Sequence, residues 1–207
     1  MIRYMQQGWL VLLLGLVCGL ALAGVDTWLG PQIANNQRLA RQKAAAEVLG
    51  GTKAELITVN DAEVFEVTDK DGRLVGWAVP ASGPGYGDTI RLIVGIAADG
   101  SRLTDFQVIY NQETPGLGNK IVEPAFRGRF KDKDPSVPLK AVQKPQADDE
   151  IQALTGATIS SQAVADIIYK QLNETGLLDT LRGQAGGGTS AVRDGGPSAT
   201  TKASAEH

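Results

Sequence analysis

LTGATISSQAV, residues 154–164, places four hydroxyl side chains around a glycine immediately before a helical pattern. From residue 162 the apolar residues recur mostly at three- and four-residue steps, which predicts a helix with one buried face. These residues are Val164, Ile167, Ile168, Leu172 and Leu177. Thr158, Ser160 and Ser161 therefore fall at the N-terminus of the helix. The first backbone N–H groups there lack intrahelical partners and the helix dipole is positive, so the turn can bind a phosphate.

Several interpretations of this turn are open from the residues alone. Ser and Thr are common helix N-caps, and capping accounts for one of the hydroxyl groups. A P-loop is poorly supported, because the spacing G-x-x-x-x-G-K-[ST] does not occur here and no lysine follows the turn. A hydroxyl nucleophile needs a neighbouring base, and the single histidine is His207, the last residue. If Thr158 is modified, we expect another protein to modify it.

The tetrapeptide TGAT at residues 155–158, followed by ISS, resembles a flavinylation signature. It is that of the FMN-binding domain in the G subunit of the Rnf complex and the C subunit of the sodium-pumping NADH:quinone reductase. In that family the last threonine of the motif carries FMN through a phosphoester bond, which a separate FAD-consuming flavin transferase makes. The resemblance therefore implies covalent FMN on Thr158. The matching cofactor-binding positions in this turn are Thr155, Gly156, Ala157, Thr158, Ser160 and Ser161.

A second segment, ETPGLGNKI at residues 113–121, resembles the E-T-P-G-L-G loop that lies near the flavin in this family. Pro115 restricts φ, whereas the two glycines permit positive φ, so the loop can hold a rigid shape against a flat ring. We expect the carboxylate of Glu113 to hydrogen-bond the N–H edge of the isoalloxazine. The alternative is a plain connection between a sheet and a helix. The cofactor-binding positions expected here are Glu113, Thr114, Gly116, Leu117 and Gly118.

Two further features bear on the resemblance. The glycine-rich stretch SGPGYG, residues 82–87, matches a Gly-Tyr-Gly turn of the family, although by itself it also reads as a flexible turn. The family usually has an acidic residue, most often Asp, three positions before the first hydroxyl of the motif, and this chain has Gln152 there. The aromatic candidates for stacking on a flavin ring are Trp77 and Tyr86, with burial in the core as the alternative for Trp77.

Composition limits the functions that the chain can have. It has 207 residues with 43% hydrophobic content, enough for one globular domain with accessory segments. The net charge of −3 argues against nucleic-acid binding, which needs a basic patch. The single cysteine, Cys18, lies in the apolar N-terminal run, so the rest of the chain has no disulfide or thiolate metal site. The charged clusters at residues 131–134 and 148–150 read as solvated surface, because an oxygen-ligand cation site needs about six convergent ligands.

An uncharged run at residues 9–25 has about the minimum length that spans a bilayer. Trp9 and Trp28 flank it as two interfacial anchors, which predicts a single transmembrane helix. A cleaved signal peptide is the alternative, since Arg3 precedes the run and Ala21-Leu22-Ala23 before Gly24, near its end, looks like a small-residue cleavage site. Positive charges alone leave the orientation open. The family resemblance implies the bacterial inner membrane, with the N-terminus in the cytoplasm and the soluble domain on the periplasmic side.

Patterns between the anchor and the motif predict the rest of the fold. Residues 32–49 favour a helix that ends at a Gly-Gly pair and continues the membrane helix as a stalk. Four segments rich in β-branched and aromatic residues, with short D-G turns, predict antiparallel hairpins; they are residues 64–68, 74–79, 89–96 and 103–110. A helix at residues 121–130 and an edge strand at residues 137–142 are expected to follow.

The predicted fold class is α+β, with an N-terminal single transmembrane helix followed by a twisted antiparallel sheet with flanking helices. After residue 181 the composition changes to Gly, Ser, Ala and Thr, which is typical of disorder. The expected domains are a membrane anchor at 1–30, a stalk helix at 31–52, an FMN-binding domain at 53–181 and a disordered tail at 182–207.

The predicted function is electron transfer through covalent FMN in a membrane-anchored subunit of an ion-translocating ferredoxin:NAD oxidoreductase, the Rnf complex. Paired catalytic acids and activated nucleophiles are absent from the sequence pattern, so the chain is not expected to catalyse a reaction alone. Its expected partners are the lipid bilayer, the flavin transferase, and the other membrane and iron–sulfur subunits. The alternatives are a subunit of the sodium-pumping quinone reductase, a membrane-tethered binding or assembly module without flavin, and a sensor that binds phosphate esters.

Overall fold

The computed structural model describes residues 2–186. The N-terminal helix α1 (Ile2–Leu49) contains both segments for which the sequence predicted helix. Within the described residues, one stretch, Val11–Leu49, is long and apolar enough to cross a membrane by length and composition; an 18-residue window within it has a mean hydropathy of 2.0. Leu12 and Leu22 are more than two-thirds exposed on this helix. The chain falls into two compact units, and the boundary between them lies between Arg41 and Gln42.

The second unit is built on a five-stranded antiparallel sheet in which the strands lie in chain order. The strands are β1 (Lys53–Val59), β2 (Ala62–Thr68), β3 (Leu74–Pro84), β4 (Thr89–Ala97) and β5 (Leu103–Tyr110). The sequence pattern identified β2 to β5 but not β1, an edge strand that has two buried residues, Ile57 and Val59. Consecutive strands pair as hairpins. Gly72 and Gly100 take positive φ of 76° and 70° in the two predicted D-G turns, a conformation that suits glycine.

Two C-terminal helices contribute to the main hydrophobic core beside the sheet. They are α3 (Thr158–Asn173) and α4 (Leu177–Gly186). A shorter helix, α2 (Pro124–Arg127), precedes them in the chain. Val164, Ile168 and Leu172 of α3 are buried in the same cluster as Val79 and Leu92 of the sheet. The helical periodicity that predicted α3 is therefore the pattern of its buried face.

A second, smaller cluster contains residues from the end of α1 and from the sheet. Ala44, Ala45 and Val48 belong to the second unit and pack with Phe65 and Ile93. The Thr104 hydroxyl donates a hydrogen bond to the Val48 carbonyl oxygen at 3.0 Å. Residues 42–49, which the sequence assigned to a stalk, are therefore part of the folded unit that contains the sheet.

The segment between β5 and α3 is mostly irregular. The predicted helix at 121–130 is instead a 3-10 helix (Gly118–Val122) followed by the short helix α2 (Pro124–Arg127). Pro124 separates them because proline cannot donate the hydrogen bond that would continue the first helix. The predicted edge strand is shorter than expected: β6 (Lys140–Val142) pairs in parallel with β7 (Glu150–Gln152).

Helix α4 extends beyond the predicted start of the disordered tail. Leu178 and Leu181 are buried, and Arg182 Nε donates to the Gly100 carbonyl oxygen at 3.1 Å. Arg182 Nη2 also contacts Asp134 Oδ1 at 3.4 Å. Residues 182–186 are therefore helical, and α4 is tied to the turn between β4 and β5. The remaining residues of the predicted tail, 187–207, lie outside the described residues.

Candidate functional site

The TGAT sequence forms a tight turn before α3. The Ala157 N–H donates to the Leu154 carbonyl oxygen at 3.0 Å. Gly156 has a φ of +78°, which is the left-handed region that an L side chain rarely adopts. A Cβ atom at this position would also lie 3.2 Å from Leu117 Cδ2. Glycine therefore allows the turn both its backbone conformation and its close approach to the loop at residues 113–118.

No hydroxyl group caps the start of α3. Its N-cap residue is Ala157, and a side-chain cap hydrogen bond is absent at this helix end in the described structure. Thr158 is the first helical residue and is exposed. The geometry therefore does not support the interpretation of the hydroxyl cluster as a helix cap. The positive end of the helix dipole remains available to bind a negatively charged group.

Ser161 has a structural role beneath the turn. Its side chain is fully buried. The hydroxyl donates to the Ala157 carbonyl oxygen at 2.9 Å and accepts a hydrogen bond from the Leu154 N–H at 3.0 Å. Both partners lie at the ends of the turn, so Ser161 holds the turn in shape from inside the protein.

Glu113 lies at the centre of a buried hydrogen-bond network. Its side chain is 4% exposed. Oε1 accepts hydrogen bonds from the backbone N–H groups of Tyr86 at 2.8 Å and Gly87 at 3.2 Å. Oε2 accepts a hydrogen bond from the Ser160 hydroxyl at 2.5 Å. The carboxylate therefore connects the glycine-rich turn, its own loop and α3, which lie far apart in the sequence.

This network changes the role that the sequence suggested for Glu113. We expected the carboxylate to bond the N–H edge of a flavin ring, but both oxygens already accept hydrogen bonds from the protein. Burial of a carboxylate is unfavourable unless hydrogen bonds replace its water. The geometry thus favours a role in which Glu113 holds the segments around the site together.

The loop at residues 113–118 has the shape that its glycines allow. Gly116 has a φ of +77°, and its N–H donates to Asn119 Oδ1 at 2.8 Å. A Cβ atom at Gly118 would lie 2.7 Å from Ser160 Oγ and 2.9 Å from Glu113 Oε2. Gly118 is therefore needed for space and Gly116 for its backbone conformation.

These elements enclose a cleft of about 430 Å³ beside the N-terminus of α3. The residues that line it are Tyr86, Thr114, Leu117, Gly118, Gly156, Ala157, Thr158, Ile159 and Ser160. Seven of the positions expected from the sequence thus line a single cleft. The other four do not line it, namely Glu113, Gly116, Thr155 and Ser161.

The cleft is apolar at its exposed rim. Tyr86 is 65% exposed, Ile159 61% and Leu117 44%. Tyr86 was one of two aromatic candidates for stacking; the other, Trp77, is buried in the core. Ile159 was not among the expected site residues. Ile159 lies between Thr158 and Ser160 in the sequence, and its 61% exposure is what marks it in the structure.

One polar neighbour of Thr158 was not expected from the sequence. Gln143 Nε2 donates a hydrogen bond to Thr158 Oγ1 at 3.2 Å. Gln143 follows β6 and lies outside both motifs, so no local pattern marks it. The cleft lining contains no charged side chain.

The groups whose pKa is displaced lie elsewhere. Hydrogen bonds from Ser136, with a smaller contribution from Arg182, hold the pKa of Asp134 below its usual value of 3.8. The hydrogen bond and charge of Lys140 lower the pKa of Asp149. Among residues 2–186 no cluster of three or more His, Cys, Asp or Glu side chains is arranged to hold a metal ion.

The site fits a flavin nucleotide in three respects. An uncapped helix N-terminus suits a phosphate, the apolar rim suits a flat ring, and Thr158 supplies an exposed hydroxyl group at the first residue of the helix. A family model described as FMN-binding domain matches residues 85–173, which include both sequence motifs and all nine residues that line the cleft.

One relative is the G subunit of the proton-translocating ferredoxin:NAD(+) oxidoreductase complex of Clostridium ljungdahlii. It is 34% identical over 148 residues, which cover 72% of this chain and 78% of the relative. The chain belongs to the FMN-binding-domain family of Rnf complex G subunits. The family resemblance that the two motifs indicated is thereby confirmed.

A second relative and a solved structure are also similar to this chain. The G subunit of the ion-translocating oxidoreductase complex of Methanosarcina acetivorans is 37% identical over 109 residues, covering 53% of this family member and 56% of the relative. The crystal structure of the C subunit of Na(+)-translocating NADH-quinone reductase from Parabacteroides distasonis superimposes with a TM-score of 0.56. It covers 71% of this chain and 94% of that one at 19% identity, so the likeness concerns the fold alone. The predicted α+β class is confirmed.

Proposed function

We propose that this chain is an electron-transfer flavoprotein subunit of an ion-translocating oxidoreductase complex and that Thr158 Oγ1 carries FMN through a phosphoester bond. The observation that carries the proposal is the position of Thr158. Its exposed hydroxyl lies at the first residue of an uncapped helix and lines the cleft that belongs to the matched FMN-binding domain. The relatives named as G subunits of such complexes support the same role.

Different residues of the cleft would bind the phosphate and the ring of the cofactor. The first backbone N–H groups of α3 are oriented to bind the phosphate, and Gly156 lets that backbone come close. Leu117, Ile159 and Tyr86 provide apolar surface for the ring. When bound, the flavin supplies one- or two-electron redox chemistry, and the protein supplies orientation and electrostatics.

A covalent bond suits a redox carrier at a membrane. The cleft is open and its rim residues are exposed, so a reversibly bound flavin would exchange with the surrounding compartment. Attachment through the phosphate prevents this loss and leaves the ring accessible to redox partners. The chain has one cysteine, in α1, so iron–sulfur centres of the complex must lie on other subunits.

The proposed setting is the bacterial inner membrane, with α1 as a single-pass anchor and the FMN-binding domain on the periplasmic side. The length and composition of α1 support the anchor. A flavin transferase is the proposed maturation partner, because the cleft lining offers no histidine or carboxylate that could deprotonate Thr158.

The experiment is mass spectrometry of the full chain after co-expression with a flavin transferase. We expect the peptide that contains Thr158 to gain the mass of FMN less one water, and the denatured protein to fluoresce in a gel. Thr158→Val should abolish both signals. Thr58→Val, which changes an exposed threonine on β1 away from the cleft, is the control and should keep them.

A folded chain that gains no mass beside an active transferase would refute covalent attachment. It would favour a membrane-tethered binding module that holds its ligand reversibly or has none.

A further inference from the structure

Strand β6 is held along both of its edges. One edge pairs with β7, with the Lys140 N–H donating to the Asp149 carbonyl oxygen at 2.8 Å. The other edge meets the side chain of Gln162 from α3. Gln162 Oε1 accepts a hydrogen bond from the Ala141 N–H at 2.8 Å, and Nε2 donates to the Leu139 carbonyl oxygen at 3.1 Å. The side-chain amide thus replaces the backbone of a neighbouring strand.

This arrangement fixes the residue that follows β6. Gln143 comes directly after the strand, and its Nε2 donates to Thr158 Oγ1 at 3.2 Å. Gln162 and Thr158 are one helical turn apart, so they lie on the same side of α3. A closed path therefore runs from Thr158 along α3 to Gln162, across β6 to Gln143, and back to Thr158.

We propose that Gln143 is a positioning residue for the phosphoester on Thr158, and that Gln162 fixes the strand that carries it. The amide donor of Gln143 first directs Thr158 Oγ1 and then donates to the phosphate after attachment. This inference rests on the proposed function, because it concerns the same hydroxyl group. It assigns a role to two residues outside the recognised motifs.

The chemistry of attachment explains why a neutral donor suits this position. Thr158 Oγ1 forms a bond to the flavin-side phosphorus of flavin adenine dinucleotide, the bond between the two phosphates breaks, AMP leaves, and the hydroxyl proton passes to a base of the transferase. The product is a singly charged phosphodiester. An amide N–H donates a charge-assisted hydrogen bond to such a group without adding a charge beside the flavin. Gln143 has no acid–base role, so it positions and does not catalyse.

The test compares variants of the full chain in flavin attachment with limiting transferase. We expect Gln143→Ala to lower the initial rate of attachment about tenfold, the effect of losing one hydrogen bond to a charged group. Gln143→Glu should lower it further, since it replaces the donor with a negative charge beside the phosphate. Gln162→Ala should also lower the rate. The double variant should be no slower than Gln143→Ala, because the two residues act on one path.

A spectroscopic readout separates positioning from a general structural effect. The ³¹P resonance of the attached phosphodiester should shift in Gln143→Ala, because its phosphate loses a donor. The Thr158→Val protein, prepared identically, gives the background from lipid. Gln146→Ala is the matched control: Gln146 is an exposed glutamine in the same loop, and its hydrogen bond to Glu150 is made by its backbone N–H. It should keep the wild-type rate and resonance.

Each contrary outcome has a distinct meaning. If Gln143→Ala keeps the wild-type rate and the wild-type ³¹P resonance, the positioning role is overturned while covalent FMN stands. A slower rate with an unchanged resonance would also overturn the proposed contact with the phosphate. Absence of flavin on the wild-type chain would overturn the proposed function and this inference together.

Discussion

At the residue scale, Glu113 shows how one buried carboxylate shapes a site without entering it. Its donors are two backbone N–H groups of the glycine-rich turn and the Ser160 hydroxyl. The carboxylate is hydrogen-bonded to two of these segments from its place in the third. Removing an acceptor leaves buried donors unsatisfied, which is more unfavourable than the net value of the bonds themselves.

We therefore expect Glu113→Ala to lower the free energy of unfolding by about 3 kcal/mol, from two or more unsatisfied donors. Glu113→Gln should have a smaller effect, because its carbonyl oxygen still accepts from Tyr86 and Gly87 and the Ser160 hydroxyl can rotate to accept. Hydrogen–deuterium exchange of the segment at residues 82–87 checks this in the full chain. Fast exchange in both variants, or in neither, would contradict the proposed role of the carboxylate.

At the element scale, the loop at residues 113–118 depends on two glycines for different reasons. Gly116 has a positive φ and free space around its missing side chain, whereas Gly118 has no room for a Cβ atom. The sequence predicted a rigid loop from Pro115 and the glycines. It did not show which glycine faced the network of Glu113, because that depends on α3.

The two glycines therefore make a matched pair for substitution. Gly116→Ala should destabilise the protein by about 1 kcal/mol through backbone strain alone, and it should leave the Tyr86 and Gly87 amides protected. Gly118→Ala should destabilise it more and expose these amides, because the new Cβ displaces Ser160 Oγ and Glu113 Oε2. Thermal unfolding with hydrogen exchange measures both effects. Equal exchange in the two variants would show that Gly118 is not required for space.

At the scale of the whole molecule, contacts distant in the sequence hold the second unit together. The end of α1 packs in a cluster with sheet residues, and α3 and α4 pack in the larger cluster. Arg182 joins α4 to the turn between β4 and β5 and to Asp134. The composition after residue 181 had indicated disorder, but local composition does not register that a long side chain reaches two distant partners.

The contribution of Arg182 should depend on pH. The pKa of folded Asp134 lies below its usual value of 3.8, so its stabilising contribution is present above that value and is lost as the pH falls through the folded pKa. We expect Arg182→Ala to lower the melting temperature by about 2–4 °C at neutral pH, the effect of about 1 kcal/mol. The difference from wild type should shrink below about pH 4, since the ion-pair part disappears when Asp134 is protonated.

Melting curves of both proteins between pH 7 and pH 3 check this prediction. Lys170→Ala, a change of an exposed residue on α3, is the control and should melt with the wild type throughout. If the melting temperature of Arg182→Ala stays below that of the wild type by the same amount down to the lowest pH, the hydrogen bond from Arg182 to the Gly100 carbonyl oxygen accounts for the whole stabilisation, and the ion pair with Asp134 for none of it.

The sequence by itself determined the features that depend on near neighbours in the chain. These features are the apolar period of α3, the β-branched and aromatic segments of β2 to β5, the two D-G turns and the TGAT turn. Each is a pattern of residues close together in the chain, so the local sequence is enough to predict it. Two short motifs were also enough to indicate the family.

Only the tertiary structure decided which side chains meet at the cleft. It turned the carboxylate of Glu113 towards protein donors, brought Gln143 to Thr158 through the parallel pair of β6 and β7, and packed residues 42–49 with sheet residues in the second unit. These contacts join segments far apart in the sequence. No local pattern of residues predicts these contacts, because the free energy that favours them comes from burying apolar surface of several segments together.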